Sequence, residues 1–252
     1  MKPKIAIIVL SLNRWDVSKR FLDFLVQNTN PDLYSLYWVD NGSADETPKH
    51  LRSFVESHPE LSFSLDLRDK NFGVIGGRNL GFKWFSEDPT GKTCTHLLFI
   101  DNDQYCKKGW LEHHLAVLNR GYDLVGVEAW QLNRALFPIH RCTKLNEWFS
   151  YVGCGGMLMS RKVAEKLDRF DERFNPSYFE DPDYNFRSID AGFRIGWNFT
   201  ARIVHLPHQT LSCEKDRTEH FIRSFKRFKE KWKGKNPPMM MQQRLLEFDI
   251  SA

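Results

Sequence analysis

The stretch Leu97-Leu98-Phe99-Ile100-Asp101-Asn102-Asp103 decides how this chain is read. Four consecutive apolar residues fit a buried strand, and the Asp-x-Asp at its carboxyl end falls where open α/β sheets bind their ligands. Hard carboxylate oxygens at that place suit Mg²⁺ or Mn²⁺ carrying a phosphate-bearing substrate. Acidic residues after strands are also ordinary turn formers, so the tripeptide gains meaning only from its surroundings.

On the amino-terminal side the same unit recurs. Ile5 to Leu10 reads as a buried parallel strand, and the stretch from Trp15 to Gln27 carries Val17, Phe21, Phe24 and Leu25 at helical spacing. Strands over 36–39 and 63–67 alternate with helices over 44–55, 75–85 and 110–118, the first of these capped at Ser43 or Asp45. Alternation of this kind predicts an α/β fold with a doubly wound, mostly parallel sheet.

Beyond Asp123 to Val127 the rhythm breaks. Residues 130–150, rich in aromatic and basic side chains, read as a loop or small excursion over the sheet. Order returns at Gly155 to Met159, a helix over 161–167, a helix opening near Asp181, and strand-like Ile203-Val204-His205. Thr218 to Trp232 reads as an amphipathic helix with Phe221, Ile222, Phe225, Phe228 and Trp232 on its apolar side, and Pro237 to Met241 has no periodic signal. The simplest division is one catalytic-type domain over 1–212 and a basic, aromatic helical extension over 213–252.

With 252 residues, 41% of them hydrophobic, the chain can bury a full core. Its five cysteines are odd in number and contain no C-x-x-C pair, which argues for reduced thiols and against a disulfide framework. His140, Cys142 and Cys154 fit no common zinc spacing. The apolar run after Met1-Lys2-Pro3-Lys4 is too short for a signal sequence or a membrane span, so the expectation is a cytoplasmic protein, peripheral at a membrane at most. The net charge of +4 gathers late, in Arg223, Lys226, Arg227, Lys229, Lys231, Lys233 and Lys235. Such a run is a solvated face or a surface for anionic lipid or nucleic acid. Oligomeric state stays open.

Four segments fall at carboxyl ends of predicted strands: Ser11 to Arg14, Asp40 to Ser43, Asn71 to Arg78, and Asp101 to Asp103. Together they describe a nucleoside diphosphate site. Asp40 is placed to accept a nucleobase N–H, and Arg78 near a helix start to reach phosphate or base. The glycines of 71–79 allow close backbone approach to a ligand and serve equally for helix–sheet packing; no Walker loop is present. A second acidic cluster, Glu180-Asp181-Pro182-Asp183, opens a helix, where carboxylates favour the dipole and where a general base for an acceptor hydroxyl would also fit. His205 and His208 follow the last strand, and either can complete a metal shell centred on Asp103.

These segments, in this order, resemble family 2 glycosyltransferases of the GT-A fold. The resemblance runs from Ile5 to about His208 and rests on IIVLSLNR (7–14), VDNGSADET (39–47), NFGVIGGRNLGF (71–82), LLFIDND (97–103), GGMLMSR (155–161) and FDERFNPSYFEDPDYNFRSIDAGFRI (170–195). It implies a Rossmann-like sheet with a small additional sheet, and transfer of one sugar, with inversion, from a nucleotide diphosphate sugar to an acceptor hydroxyl. A UDP-sugar is the favoured donor, with Mn²⁺ or Mg²⁺ as metal. The acceptor could be a glycan, a lipid-linked sugar or a modified DNA base. By the resemblance, Asp40 looks like the base-recognition carboxylate, Arg78 a donor contact, and Asp101 a ribose, sugar or metal contact. Asp103 looks like the metal ligand, His205 its partner and Asp181 the catalytic base beside Glu180. Ser11, Asn13, Arg14, Asn41, Gly73, Asn102, Gly155 and Gly156 would line the donor site.

Two departures stand out. Ser11-Leu12 replaces the aromatic residue common before Asn13, and the Gln-x-x-Arg-Trp motif of processive polymerases is absent, which implies single additions. Two other readings stay open at this level: a glycoside hydrolase using Asp103 and Asp181 as paired carboxylates, and a non-catalytic module that binds sugar nucleotides or glycans.

Overall fold

A computed structural model describes residues 3–206, 216–235 and 243. The amino-terminal half alternates β1 (Ile5–Ser11), α1 (Trp15–Asn28), β2 (Tyr34–Asp40), α2 (Thr47–Ser57), β3 (Phe63–Leu67), α3 (Gly73–Glu87), α4 (Pro89–Thr93) and β4 (His96–Asp101). Strand β5 (Gln104–Cys106), α5 (Trp110–Leu118) and β6 (Leu124–Gly126) follow, then β7 (Ala129–Leu132), β8 (Pro138–Arg141), β9 (Tyr151–Val152) and β10 (Met157–Ser160). The chain continues through α6 (Arg161–Leu167), α7 (Glu180–Asp190), β11 (Ile195–Trp197), β12 (Ile203–His205) and α8 (Arg217–Trp232).

The central sheet has seven strands in the order β11-β6-β10-β4-β1-β2-β3. All its pairings are parallel except those of β10, which runs antiparallel to β4 and β6. Register sets the function of this sheet: Ser11 lies opposite Asp40, and Leu10 opposite Asp101, so three strand ends open on one edge. Ile5 to Val9 are buried, as expected of a strand covered on both faces. Helix α3 lies close on β1 because Gly77 and Gly81 carry no side chain. A Cβ on Gly77 would sit 2.4 Å from Leu10 Cδ1, and one on Gly81 2.5 Å from Ile8 Cγ2. These two glycines therefore serve packing.

One expectation changes and another gains detail. Residues 130–150 are not a plain loop: β7 pairs antiparallel with both β8 and β9 in a separate three-stranded sheet. Its strands are only two to four residues long, so no period builds up in the sequence. Helix α2 starts at Thr47, with Glu46 at the N-cap position, because the Ser43 hydroxyl is turned to Asp40. Asp45 still accepts from the Thr47 N–H at 3.0 Å. The strand expected over 203–205 is β12, which pairs with β5 in a two-stranded sheet of its own.

Helix α8 packs on α7 through aromatic rings: Phe228 and Trp232 both meet Phe186, and Phe179 meets Phe221, Phe225 and Phe228. Ile222, expected on the packed side, is 47% exposed. At the centre of the contact Asp183, fully buried, accepts from Trp232 Nε1 at 3.0 Å and Arg187 Nε at 3.0 Å, with Lys231 Nζ 2.7 Å away. Cys94, Cys106, Cys142 and Cys154 are buried free thiols, while Cys213, His208 and residues 237–241 lie outside the described residues. No described helix is long and apolar enough to cross a membrane.

Candidate active site

The Asp-x-Asp at the end of β4 splits by direction. Asn102 donates from Nδ2 to Ser18 Oγ of α1 at 3.0 Å and is buried there, so it anchors the turn and does not face a donor as expected. Asp101 and Asp103 point the other way. The Asp101 N–H donates to Gln104 Oε1 at 3.0 Å, and a Cβ on Gly155 would lie 2.4 Å from Asp101 Oδ2. Only a glycine there leaves that carboxylate room. Gly156 contributes backbone: its N–H donates to Phe99 O at 2.8 Å, and its carbonyl lies 2.9 Å from His114 Nε2.

His205 reaches this edge because β12 pairs with β5, and the next residue, Leu206, donates its N–H to Asp103 O at 3.0 Å. His205 Nε2 sits 3.3 Å from Asp103 Oδ1, and Nδ1 sits 2.9 Å from Glu128 Oε1. Burial works against charge on this imidazole, yet the two carboxylates outweigh it and push its pKa up to about 10. Asp101, Asp103 and His205 each bring one ligand atom to within 4.8 Å of the others. Two carboxylates plus an imidazole whose second nitrogen is held by a carboxylate fit Mn²⁺ or Mg²⁺, with His205 giving up its Nε2 proton on binding. Glu128, itself paired with Arg141 at 2.9 Å, was not singled out from the sequence. Its signal was faint: one carboxylate just past a strand of three residues.

Arg78 joins the strand end to the second acidic cluster. Its Nη2 lies 2.8 Å from Asp101 Oδ1, and its Nη1 lies 3.2 Å from Glu180 Oε1 and 3.9 Å from Asp181 Oδ1. Glu180 keeps 8% of its side chain exposed and Asp181 26%, so Glu180 backs the guanidinium while Asp181 faces the opening. Burial first, and the adjacent Glu180 carboxylate second, hold the Asp181 carboxyl well above the usual carboxylate range, with Arg78 pulling the other way. Glu180 Oε2 and Asp181 Oδ1 are buried without a hydrogen-bond donor in the protein. Unsatisfied carboxylate oxygens in a cleft mark a place where a ligand completes the bonding.

The loops after β1 and β2 look inward instead. Asp40, fully buried, accepts at Oδ1 from the Ser43 N–H (2.9 Å) and at Oδ2 from the Ser43 hydroxyl (2.6 Å) and, at 3.4 Å, the Ser11 hydroxyl. In this arrangement its carboxylate holds the turn and has no open face for a nucleobase, contrary to the expectation. Asn13 accepts from the Ala44 N–H at 2.8 Å, and the Arg14 side chain pairs with Asp16 at 2.9 Å. Asn41 bridges to the next loop, donating to Asn71 Oδ1 and Gly73 O and accepting from the Phe72 N–H. A residue the sequence did not flag, Asn175, closes the set, accepting from the Gly76 N–H and donating to Phe72 O at 2.9 Å.

Comparison with known proteins adds the family. The profile for glycosyl transferase family 2 matches residues 6–188. No curated protein matches the sequence. Among solved structures, the chain is similar to the mannosyltransferase PcManGT from Pyrobaculum calidifontis in complex with GDP-Man and Mn²⁺, at 16% identity and a TM-score of 0.70, over 96% of this chain and 68% of that one. TarS from S. aureus in complex with UDP-GlcNAc is similar at 18% identity and 0.55, over 77% and 55%. GalNAc-T7 with UDP, GalNAc and Mn²⁺ is similar at 11% and 0.67, over 81% and 44%. At such identities the likeness is one of fold, and the chain spans about half to two thirds of the length of the first two.

Proposed function

The chain belongs to glycosyl transferase family 2, and from that premise we propose that it moves one sugar, with inversion, from a nucleoside diphosphate sugar to an acceptor hydroxyl. The observation that carries this reading is the bridge of Arg78 between Asp101, beside the cluster Asp103 and His205, and the open carboxylate of Asp181. A donor diphosphate belongs at the first of these and an acceptor hydroxyl at the second.

Asp181 takes the hydroxyl proton as the acceptor oxygen forms its bond to the anomeric carbon. The bond from that carbon to the diphosphate breaks on the opposite face, and its electron pair stays on the phosphate oxygen. Glu180 holds Arg78 in place, so Asp181 is the base and Glu180 its support. Asp101, Asp103 and His205 would hold a divalent cation, which would supply positive charge to the leaving diphosphate. A UDP-sugar is the preferred donor; two of the three similar structures above hold a uridine nucleotide.

Calorimetry against UDP-, GDP- and dTDP-sugars, with and without Mn²⁺, tests the proposal in wild type and Asp103→Ala. One nucleotide should bind in a metal-dependent way and lose that dependence in the variant. Binding of none, or binding indifferent to metal and to Asp103, would overturn it.

A further inference from the structure

The cations of α8 divide into two sets. Arg217, Arg223, Arg227 and Lys231 face the catalytic domain, meeting the Tyr178 hydroxyl, the Asn175 and Arg173 carbonyls, and Asp171 with Asp183. Lys226, Lys229 and Lys233 instead line a groove of about 470 Å³ whose other wall is Arg134 to Leu136, at the tip between β7 and β8. Four cations and one carboxylate, Glu230, border this groove, so it is strongly positive.

Apolar groups stand exposed beside these cations. Ile222, at helical spacing from Lys226, Lys229 and Lys233, shares their stripe and is 47% exposed. On the tip, Phe137 rests its ring against Phe221 and Phe225 and remains 41% exposed. Ile139, at the register shift between the Leu132–Pro138 and Gln131–His140 pairs of the same tip, is 55% exposed. Exposed aliphatic groups next to lysines are what an interfacial surface offers to a bilayer. They do not suit nucleic acid, whose bases stack on aromatic faces: Trp232 in the groove is buried, and Phe137 already packs on two other rings.

We propose that this face, the 134–139 tip with the Ile222–Lys233 stripe, docks on an anionic phospholipid surface. Headgroup phosphates enter the lysine groove, and Ile139 and Ile222 dip below them. The face adjoins the catalytic cleft on two sides, since Phe221 and Phe225 pack on Phe179 next to Glu180, and Arg141 of β8 holds Glu128 behind His205. Docking would hold the cleft at the bilayer surface. The binding itself is independent of donor and metal, so it can fail while the transferase reading stands.

Cosedimentation of the full chain with vesicles decides the matter. Wild type should bind vesicles of phosphatidylcholine and phosphatidylserine in equal parts, and not phosphatidylcholine alone. High salt should release it. K226Q/K229Q/K233Q should lower the affinity by about 10²-fold, at about five-fold per lysine. I139S and I222S should each lower it by about ten-fold. Circular dichroism should show every variant folded, because the altered side chains are exposed. Equal binding to both vesicle types, binding unaffected by the triple substitution, or lysine-dependent binding to duplex DNA without vesicle binding would each overturn the proposal.

Discussion

The two halves of the cleft handle their carboxylates in opposite ways. Behind β1 and β2, Asp40 is wholly enclosed and every oxygen is answered by Ser43 or Ser11. Around β4 and α7, Glu180 and Asp181 each keep a buried oxygen without a donor, and Asp101 and Asp103 crowd one imidazole. A satisfied buried carboxylate stiffens a loop; an unsatisfied one costs stability and persists where a ligand completes it. The first half is therefore closed on itself, and the second leaves carboxylate oxygens open to a ligand.

That contrast breaks most easily at Asp181. Asp181→Asn should cut turnover by about 10²-fold or more while leaving donor affinity nearly unchanged, as single-turnover kinetics and calorimetry would show. Retained turnover would remove the base from the second half. Because burial raises this carboxyl, the acid limb of kcat/KM should lie above the ordinary carboxylate range, with activity falling as pH drops through it, and the limb should vanish in the variant.

A smaller effect is expected one layer out. Glu128→Gln keeps the shape but loses the negative charge that orients His205, and should weaken Mn²⁺ binding by about 10- to 100-fold. On the scaffold side the loss should appear as stability. Asp40→Ala strips the Ser43 N–H and hydroxyl of their acceptor and should cost about 2 kcal/mol in denaturant unfolding, with donor discrimination altered only through the loop. A direct role for Asp40 would show instead as a selective loss of one nucleobase.

The smallest effect has the opposite sign. A carboxyl whose folded pKa is raised contributes stability below its unfolded pKa and loses it as pH rises through the folded value. Asp181→Asn should therefore stabilise the protein at neutral pH, by about 1 kcal/mol or about 2–4 °C in Tm.

Much of the fold is legible in the sequence because long strands and helices repeat their apolar period; Ile5 to Leu10 and Val17 to Leu25 announce themselves. The sheet of β7, β8 and β9 does not, since strands of two to four residues cannot display one. Within the site, spacing finds Asp101 and Asp103, but the inward turn of Asn102 depends on Ser18, 84 residues away. For Asp40 the sequence shows a carboxylate at a strand end but not its partners: Ser43, three residues on, and Ser11, 29 residues back, both donate to it. Glu128 needed the third dimension, because its partners His205 and Arg141 lie far along the chain.

The niche around Asp183 bears on how this protein can be shortened or fused. Lys231 and Trp232 reach it from α8, two residues past Asp181 on α7. A chain cut ahead of Arg217 would leave Arg187, among the described residues, to pair with a carboxylate that has no exposed surface, and would uncover Phe186 beside it. The helix is thus a keystone for the start of α7, and a fusion that keeps Arg217 to Trp232 joined to the domain keeps this niche closed.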